Sequence, residues 1–178
     1  MRADAGVIVR DREDGERRWF YGGGEHTWKA TAEETGGAFL LFEDRMTEGK
    51  VTPLHRHPES DESMFVLEGE ILMHIDGNEH RVGPGGLAVA PRGVAHAFMV
   101  TSPEVRLLCL HTPGCCQAFY WDASEPVVGR GGGTVDMNRV RASAEKNGGI
   151  EILGPPPFEA HTASSGPVRA VGAEPSRA

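Results

Sequence analysis

The sequence predicts an all-β domain, either a sandwich or a barrel, and two features of the chain support this fold class. Short apolar runs separated by turn residues recur along residues 7–121, which is typical of such folds. The dipeptide Asp76-Gly77 lies between two of these runs, and glycine accepts the positive φ that a tight hairpin requires. After Trp121 the chain becomes polar and glycine-rich, so we expect the β domain to end there.

Ten segments are predicted as strands because apolar or β-branched residues are bounded there by turn residues. A further extended segment is predicted over 51–57, where Pro53 and Pro58 disfavour helix for the residue before each of them. In chain order, the ten predicted strands are 7–10, 17–21, 26–31, 38–43, 64–67, 70–75, 79–82, 87–90, 97–101 and 105–111.

One helix is predicted over 135–146, where apolar residues recur at helical spacing. Asn147-Gly148-Gly149 would end it, and we expect it to pack on the barrel exterior or to cap one mouth. The predicted organisation is a barrel over 1–121, a linker with this helix over 122–158, and a flexible tail over 159–178. The tail has too little apolar surface to offset the entropy of ordering. The apolar stripe of the helix consists of Val135, Met137, Val140 and Ala144.

Length and charge limit the classes of function. A chain of 178 residues is long enough for one domain. Its net charge of -8 and pI near 5.5 argue against a nucleic acid or an anionic membrane as partner, because both require a concentrated basic patch. Charged residues occur throughout the N-terminal region, so neither a signal-peptide core nor a membrane span is expected, and we predict a cytoplasmic protein.

The cysteines and the isolated histidines give weaker signals. An odd number of cysteines, two of them adjacent, does not suggest a disulfide framework. We expect Cys109 to be a small buried residue of strand 105–111, and leave a redox role for Cys115 and Cys116 as the alternative. The isolated histidines are interpreted as packed or solvated side chains; they are His26, His74, His80, His111 and His161.

Four other residues form a candidate metal site. Alternate residues of a strand point to the same face, so His55 and His57 can share one ion. Glu62 follows a bend at residues 58–61, and His96 follows a turn at residues 91–93, so both can return toward the two imidazoles. Three imidazoles and a carboxylate suit a divalent iron, nickel, manganese, copper or zinc ion. A six-coordinate ion would keep two open positions for catalysis, whereas a tetrahedral zinc would be closed by the same ligands.

Two motifs in this region resemble the cupin superfamily. Gly49 to Gly69 has the pattern G-x5-H-x-H-x4-E-x6-G, and Gly85 to His96 has the pattern G-x5-P-x-G-x2-H. The second motif often ends in asparagine four residues after its histidine, where this chain has Val100. The resemblance implies a double-stranded β-helix, the jelly-roll or cupin barrel, here with a short C-terminal helix. It also implies that the four residues above bind the metal.

A narrower resemblance is to bacterial cupins of the quercetin 2,3-dioxygenase-like group. It rests on residues 28–42, on the turn from Thr112 to Gly114 and on residues 150–158 with their GPPPF ending. It implies a dioxygenase that uses O2 to cleave the ring of an enolic or phenolic aromatic substrate, with Glu62 accepting the proton of the substrate hydroxyl. The resemblance also suggests a homodimer, although the sequence carries no interface signature.

The reaction is not decided by the fold. The alternatives are a non-redox metal-dependent isomerase or polyketide cyclase, and a small-molecule binding protein without turnover. Apolar residues in strands are more often core than pocket, but several could line a pocket for an aromatic substrate. The candidate substrate contacts are Trp28, Met46, Met64, Phe98 and Phe119.

Overall fold

A computed structural model of the protein describes residues 6–127 and 133–158. Within these ranges the chain forms two antiparallel sheets and two helices, α1 (Gln117–Asp122) and α2 (Met137–Asn147). The predicted all-β class is therefore confirmed. The strands are β1 (Glu16–Phe20), β2 (Glu25–Ala30), β3 (Leu40–Thr47), β4 (Leu54–Arg56), β5 (Asp61–Glu68), β6 (Ile71–Ile75), β7 (Asn78–Val82), β8 (Leu87–Ala90), β9 (His96–Val100), β10 (Glu104–Thr112), β11 (Ser124–Pro126) and β12 (Glu151–Gly154).

The two sheets enclose one core. The larger sheet has the order β11-β1-β2-β3-β10-β5-β8, and the smaller one has the order β12-β4-β9-β6-β7. Burial alternates along the long strands, as expected where one face of a sheet is covered. On β10 the inward residues are Val105, Leu107, Cys109 and His111. Polar side chains therefore share the interior with apolar ones, and these polar positions build the site described below.

The turn between β6 and β7 has the predicted backbone conformation. Asp76 and Gly77 both have positive φ, 48° and 79°, which is the backbone that the tight hairpin requires. The pairing of Ile75 with Asn78 fixes the register directly at the turn. The hairpin prediction is confirmed.

The C-terminal segment is part of the barrel wall. Asp136 caps α2 by accepting hydrogen bonds from two backbone amides, and Gly148, at φ 65°, ends the helix, close to the predicted bounds. Ser143 donates to the Phe119 carbonyl of α1, at 2.9 Å. β12 then pairs with β4, so the helix and strand together close one side of the barrel interior.

Several predicted elements differ from the structure. Residues 7–10 form no strand, and Val7 and Val9 are exposed, because no neighbouring strand covers them. Of the extended segment 51–57, only Leu54–Arg56 is a strand, since the prolines that keep it extended also remove backbone donors. α1, β11 and β12 were missed; each has six residues or fewer, and the two strands depend on partners distant in sequence. The predicted tail 159–178 lies outside the described residues.

Within the described ranges, neither helix has the length and apolar character needed to cross a bilayer.

Candidate metal centre

The structure brings the four predicted ligand residues together inside the barrel. One ligand atom from each side chain lies within 4.8 Å of one from every other. His55 on β4 pairs directly with His96 at the start of β9, while His57 follows β4 and Glu62 comes from β5. Each of the four is at most 5% exposed. Both sheets therefore contribute to one enclosed cluster.

Backbone carbonyls fix the orientation of the three imidazoles. A carbonyl oxygen only accepts hydrogen bonds, so the Nδ1 atom facing it carries the proton, and in the neutral ring Nε2 keeps its lone pair. This arrangement is the usual support of a metal-binding histidine. The pairs are His55 Nδ1 with Pro53 O at 2.8 Å, His57 Nδ1 with Gly149 O at 2.7 Å, and His96 Nδ1 with Val94 O at 2.9 Å.

Glu62 lies at the centre of the cluster. Its Oε2 atom is 2.7 Å from His96 Nε2 and 3.3 Å from His57 Nε2, and His57 Nε2 has no hydrogen-bond partner in the described part of the chain. A carboxylate oxygen facing imidazole lone pairs is favourable only when a proton or a cation lies between them. The geometry therefore fits a bound cation.

The electrostatics of the cluster keep Glu62 ionised and His55 neutral, the charge states in which these two residues can bind a metal. Burial alone would raise the pKa of Glu62, but the surrounding imidazoles, led by His111, hold that pKa well below its usual value. Burial lowers the pKa of His55 to about 3, so this imidazole is neutral at pH 7. Burial would also lower the pKa of His96, but the hydrogen bond to Glu62, the charge of Glu62 and the hydrogen bond to Val94 together outweigh burial and raise it. An ionised carboxylate beside a neutral imidazole is a suitable donor set for a divalent ion.

Two further side chains contact Glu62 from the neighbouring strand β10. Cys109 Sγ donates to Glu62 Oε1 at 3.2 Å, and His111 Nε2 lies 3.7 Å from the same oxygen. Burial and the charge of Glu62 raise the pKa of Cys109 well above its usual value, so the thiol keeps its proton and acts as a donor. Cys109 is buried as expected, but its contact with Glu62 was not predicted, and neither was that of His111. The pairing of His111 with Glu62 across β5 and β10 explains both contacts.

A small cavity of about 50 Å³ adjoins the cluster. Its wall is mainly apolar and includes Met64, Phe98 and Phe119 together with His55 and Glu62. Two other candidate contacts, Trp28 and Met46, are buried but do not line it. Trp28 packs edge-on against Trp121, and Met46 lines a separate surface groove. α2 and β12 complete the wall, with Met137, Val140 and Ile152.

The comparisons with known proteins agree with the fold and with the motifs. Residues 42–112 match the family described as a cupin domain. The chain is 26% identical over 104 residues to the quercetin 2,3-dioxygenase of Bacillus subtilis, which covers 58% of this chain but only 31% of that relative. The chain thus resembles cupins, and among them the quercetinase-like ones.

Solved structures support the double-stranded β-helix. A protein described as a predicted oxalate decarboxylase from Thermotoga maritima has a TM-score of 0.54 at 22% identity, covering 60% of this chain and 99% of that one. An RmlC-like cupin from Shewanella frigidimarina also has a TM-score of 0.54, at 18% identity, covering 61% of this chain and 92% of that one. At these identities the likeness shows the fold alone, and it confirms the predicted fold class.

Proposed function

We propose that the protein is a metal-dependent cupin dioxygenase that cleaves an enolic or phenolic aromatic compound with O2. The observation that carries this proposal is the buried cluster of three Nε2 atoms and one carboxylate opening on a cavity lined by aromatic and apolar side chains. The resemblance to a quercetin 2,3-dioxygenase supports the same reaction class.

In this proposal His55, His57, His96 and Glu62 hold one divalent iron, nickel, manganese, copper or zinc ion. When bound, that ion supplies a Lewis acid and, for the redox-active metals, an electron path to O2. The Nδ1 contacts to backbone carbonyls keep the three Nε2 atoms pointed inward. The Glu62 carboxylate, ionised in its imidazole surroundings, accepts the proton of the substrate hydroxyl.

The cavity limits the substrate. An engineered cavity of about 150 Å³ is large enough for benzene, whereas this one has about 50 Å³. An aromatic ring therefore enters only if side chains move. Met64 and Met137 line the cavity, and methionine adapts its shape more easily than branched residues. We infer that these two side chains move aside when the ring binds, and that a one-ring phenol requires smaller side-chain movements than a flavonol.

A second candidate is a non-redox isomerase or cyclase. The observation that favours it is a further set of ionisable side chains, His26, Asp44 and Lys50, on the wall of the same cavity. Such groups can move protons without O2. In this function the bound metal would supply only a Lewis acid.

Metal analysis and oxygen uptake test the proposal. We expect protein purified without a histidine tag to contain about one transition-metal ion per chain, and to consume O2 with a member of a panel of phenols and flavonols. His96→Ala should lose both the metal and the activity, whereas the control His80→Ala, at an exposed position of β7, should keep both. Full turnover without O2 would exclude the dioxygenase and favour the isomerase. A chain that binds no metal would exclude both.

A further inference from the structure

The wall of the cavity contains a second polar group, formed by residues outside the four-residue cluster. His26 on β2 and Asp44 on β3 are directly paired across the two strands, with His26 Nε2 3.4 Å from Asp44 Oδ2. Both residues line the cavity, and they are only 1% and 7% exposed. His26 is stacked on Phe42, with ring centroids 4.3 Å apart, which fixes its position in the wall.

Two atoms of this pair lack a partner. Asp44 Oδ1 and His26 Nδ1 are buried and have no hydrogen bond within the described residues. Most buried polar atoms in folded proteins are paired, because an unpaired one loses its hydration without compensation. Since both residues line the cavity, a molecule that enters the cavity can supply the missing partner.

Lys50 supplies the donor for such a partner. Its ammonium donates to the carbonyl of Gly22, and in the described part of the chain no carboxylate lies within salt-bridge distance of it. An ammonium has three donors, so it can donate to a ligand as well. Burial lowers the pKa of Lys50 to about 8, an effect that the charge of Asp44 opposes. Lys50 is therefore mainly cationic at pH 7.

We propose that Asp44, Lys50 and His26 form a subsite that binds a hydroxyl group of the substrate. The hydroxyl donates to Asp44 Oδ1 and accepts from Lys50 Nζ, and His26 holds the other oxygen of Asp44 in place. The inference rests on the proposed function, because it names the residues that bind the other end of the same substrate. The substrate class becomes an aromatic or enolic compound with at least two hydroxyl groups, one for the metal cluster and one for this subsite.

The hydrogen-bonding groups of the subsite exclude other substituents. A carboxylate could not donate a hydrogen bond to Asp44 Oδ1, and an amine cation could not accept one from Lys50 Nζ. A methyl or methoxy group could not donate to Asp44 Oδ1. A hydroxyl group is the smallest neutral substituent that both donates and accepts. Sites that hydrogen-bond a substrate hydroxyl also reject analogues that lack it far more strongly than apolar pockets reject an extra group.

Binding of matched phenols tests the subsite separately from turnover. The probes are resorcinol and 3-methoxyphenol, which differ by one methyl group on one oxygen, and affinity is measured by calorimetry or ligand-observed NMR. The protein is used as purified and after loading with zinc, so no oxygen chemistry is involved. We expect resorcinol to bind the wild-type protein at least about tenfold more tightly than 3-methoxyphenol.

Variants assign this preference to the subsite. Asp44→Asn and Lys50→Met should each reduce the preference to about threefold or less, whereas the matched control Lys146→Met, at an exposed position of α2, should keep it. If Asp44→Asn does not fold, Lys50→Met alone decides. Equal affinity for the two probes, no measurable binding of resorcinol, or an unchanged preference in the variants would overturn the proposal. These binding measurements do not depend on O2 consumption. Failure of the dioxygenase proposal would be seen separately, in the oxygen-uptake assay.

Discussion

Replacement of Cys109 tests how the Glu62 carboxylate of the proposed metal site is held in position. Glu62 has two oxygens with different surroundings: Oε2 faces His57 and His96, while Oε1 accepts from Cys109 Sγ at 3.2 Å. Cys109→Ala removes that donor and lets the carboxylate rotate. Loss of a residue that orients a metal ligand typically costs about 10- to 100-fold in metal affinity, which is about 1.4–2.8 kcal/mol. We expect a loss of affinity in this range.

Competition with a chromophoric chelator measures this effect. Zinc or cobalt affinity is compared between the wild-type protein, Cys109→Ala and Cys109→Ser, whose hydroxyl can still donate. The serine variant should recover most of the affinity. Cys115→Ala is the matched control, since Cys115 is an exposed free cysteine and its loss should leave the affinity unchanged. Equal metal affinity of Cys109→Ala and wild type, with both chains folded, would refute the role of the thiol.

Three other outcomes follow from the structure. His96→Ala should abolish stoichiometric metal binding by elemental analysis, and retention of a full equivalent would contradict the four-ligand site. Lys50 is harder to protonate in the folded chain, where its pKa is about 8, than in the unfolded chain, where it is 10.5. Burial of the charged side chain therefore lowers the free energy of unfolding by its full amount below pH 8. This destabilisation is relieved as the pH rises from 8 to 10.5. In urea unfolding Lys50→Met should therefore be more stable than wild type at pH 7, by at most about 3 kcal/mol, and this advantage should shrink toward pH 10. Asp136→Ala should cost about 1 kcal/mol by loss of the α2 cap, and an unchanged urea midpoint would contradict that contribution.

The sequence was most informative where local pattern and geometry coincide. Apolar runs bounded by turn residues made most of the strands recognisable, and the spacing of His55 and His57 placed both side chains toward one interior. The sequence of one strand does not predict which residue of the neighbouring strand lies opposite each of its own residues. The contact of Cys109 with Glu62 spans 47 residues and depends on the register between β5 and β10. His26 and Asp44 were missed for the same reason.

The assignment of aromatic residues to the pocket shows a related limit. Met64, Phe98 and Phe119 line the cavity, whereas Trp28, equally buried, does not. The periodicity of apolar residues predicts which face of a strand is buried. It does not predict which residues on that face border a cavity. In β2 the register shifts between Trp28 and Ala30, and Trp28 packs against Trp121 of α1. Since α1 was not predicted, this packing could not be predicted either.

The C-terminal segment changes how the barrel should be understood. The sequence suggested a barrel complete by residue 121, with a helix packed on it. Gly149, directly after α2, instead provides the carbonyl that orients His57, and Ile150 and Ile152 line the cavity. His57, one of the four residues of the proposed metal site, is therefore positioned by backbone that lies 92 residues further along the chain. Because α2 and β12 also close the cavity, movement of this one segment would both admit a substrate and loosen the orientation of His57.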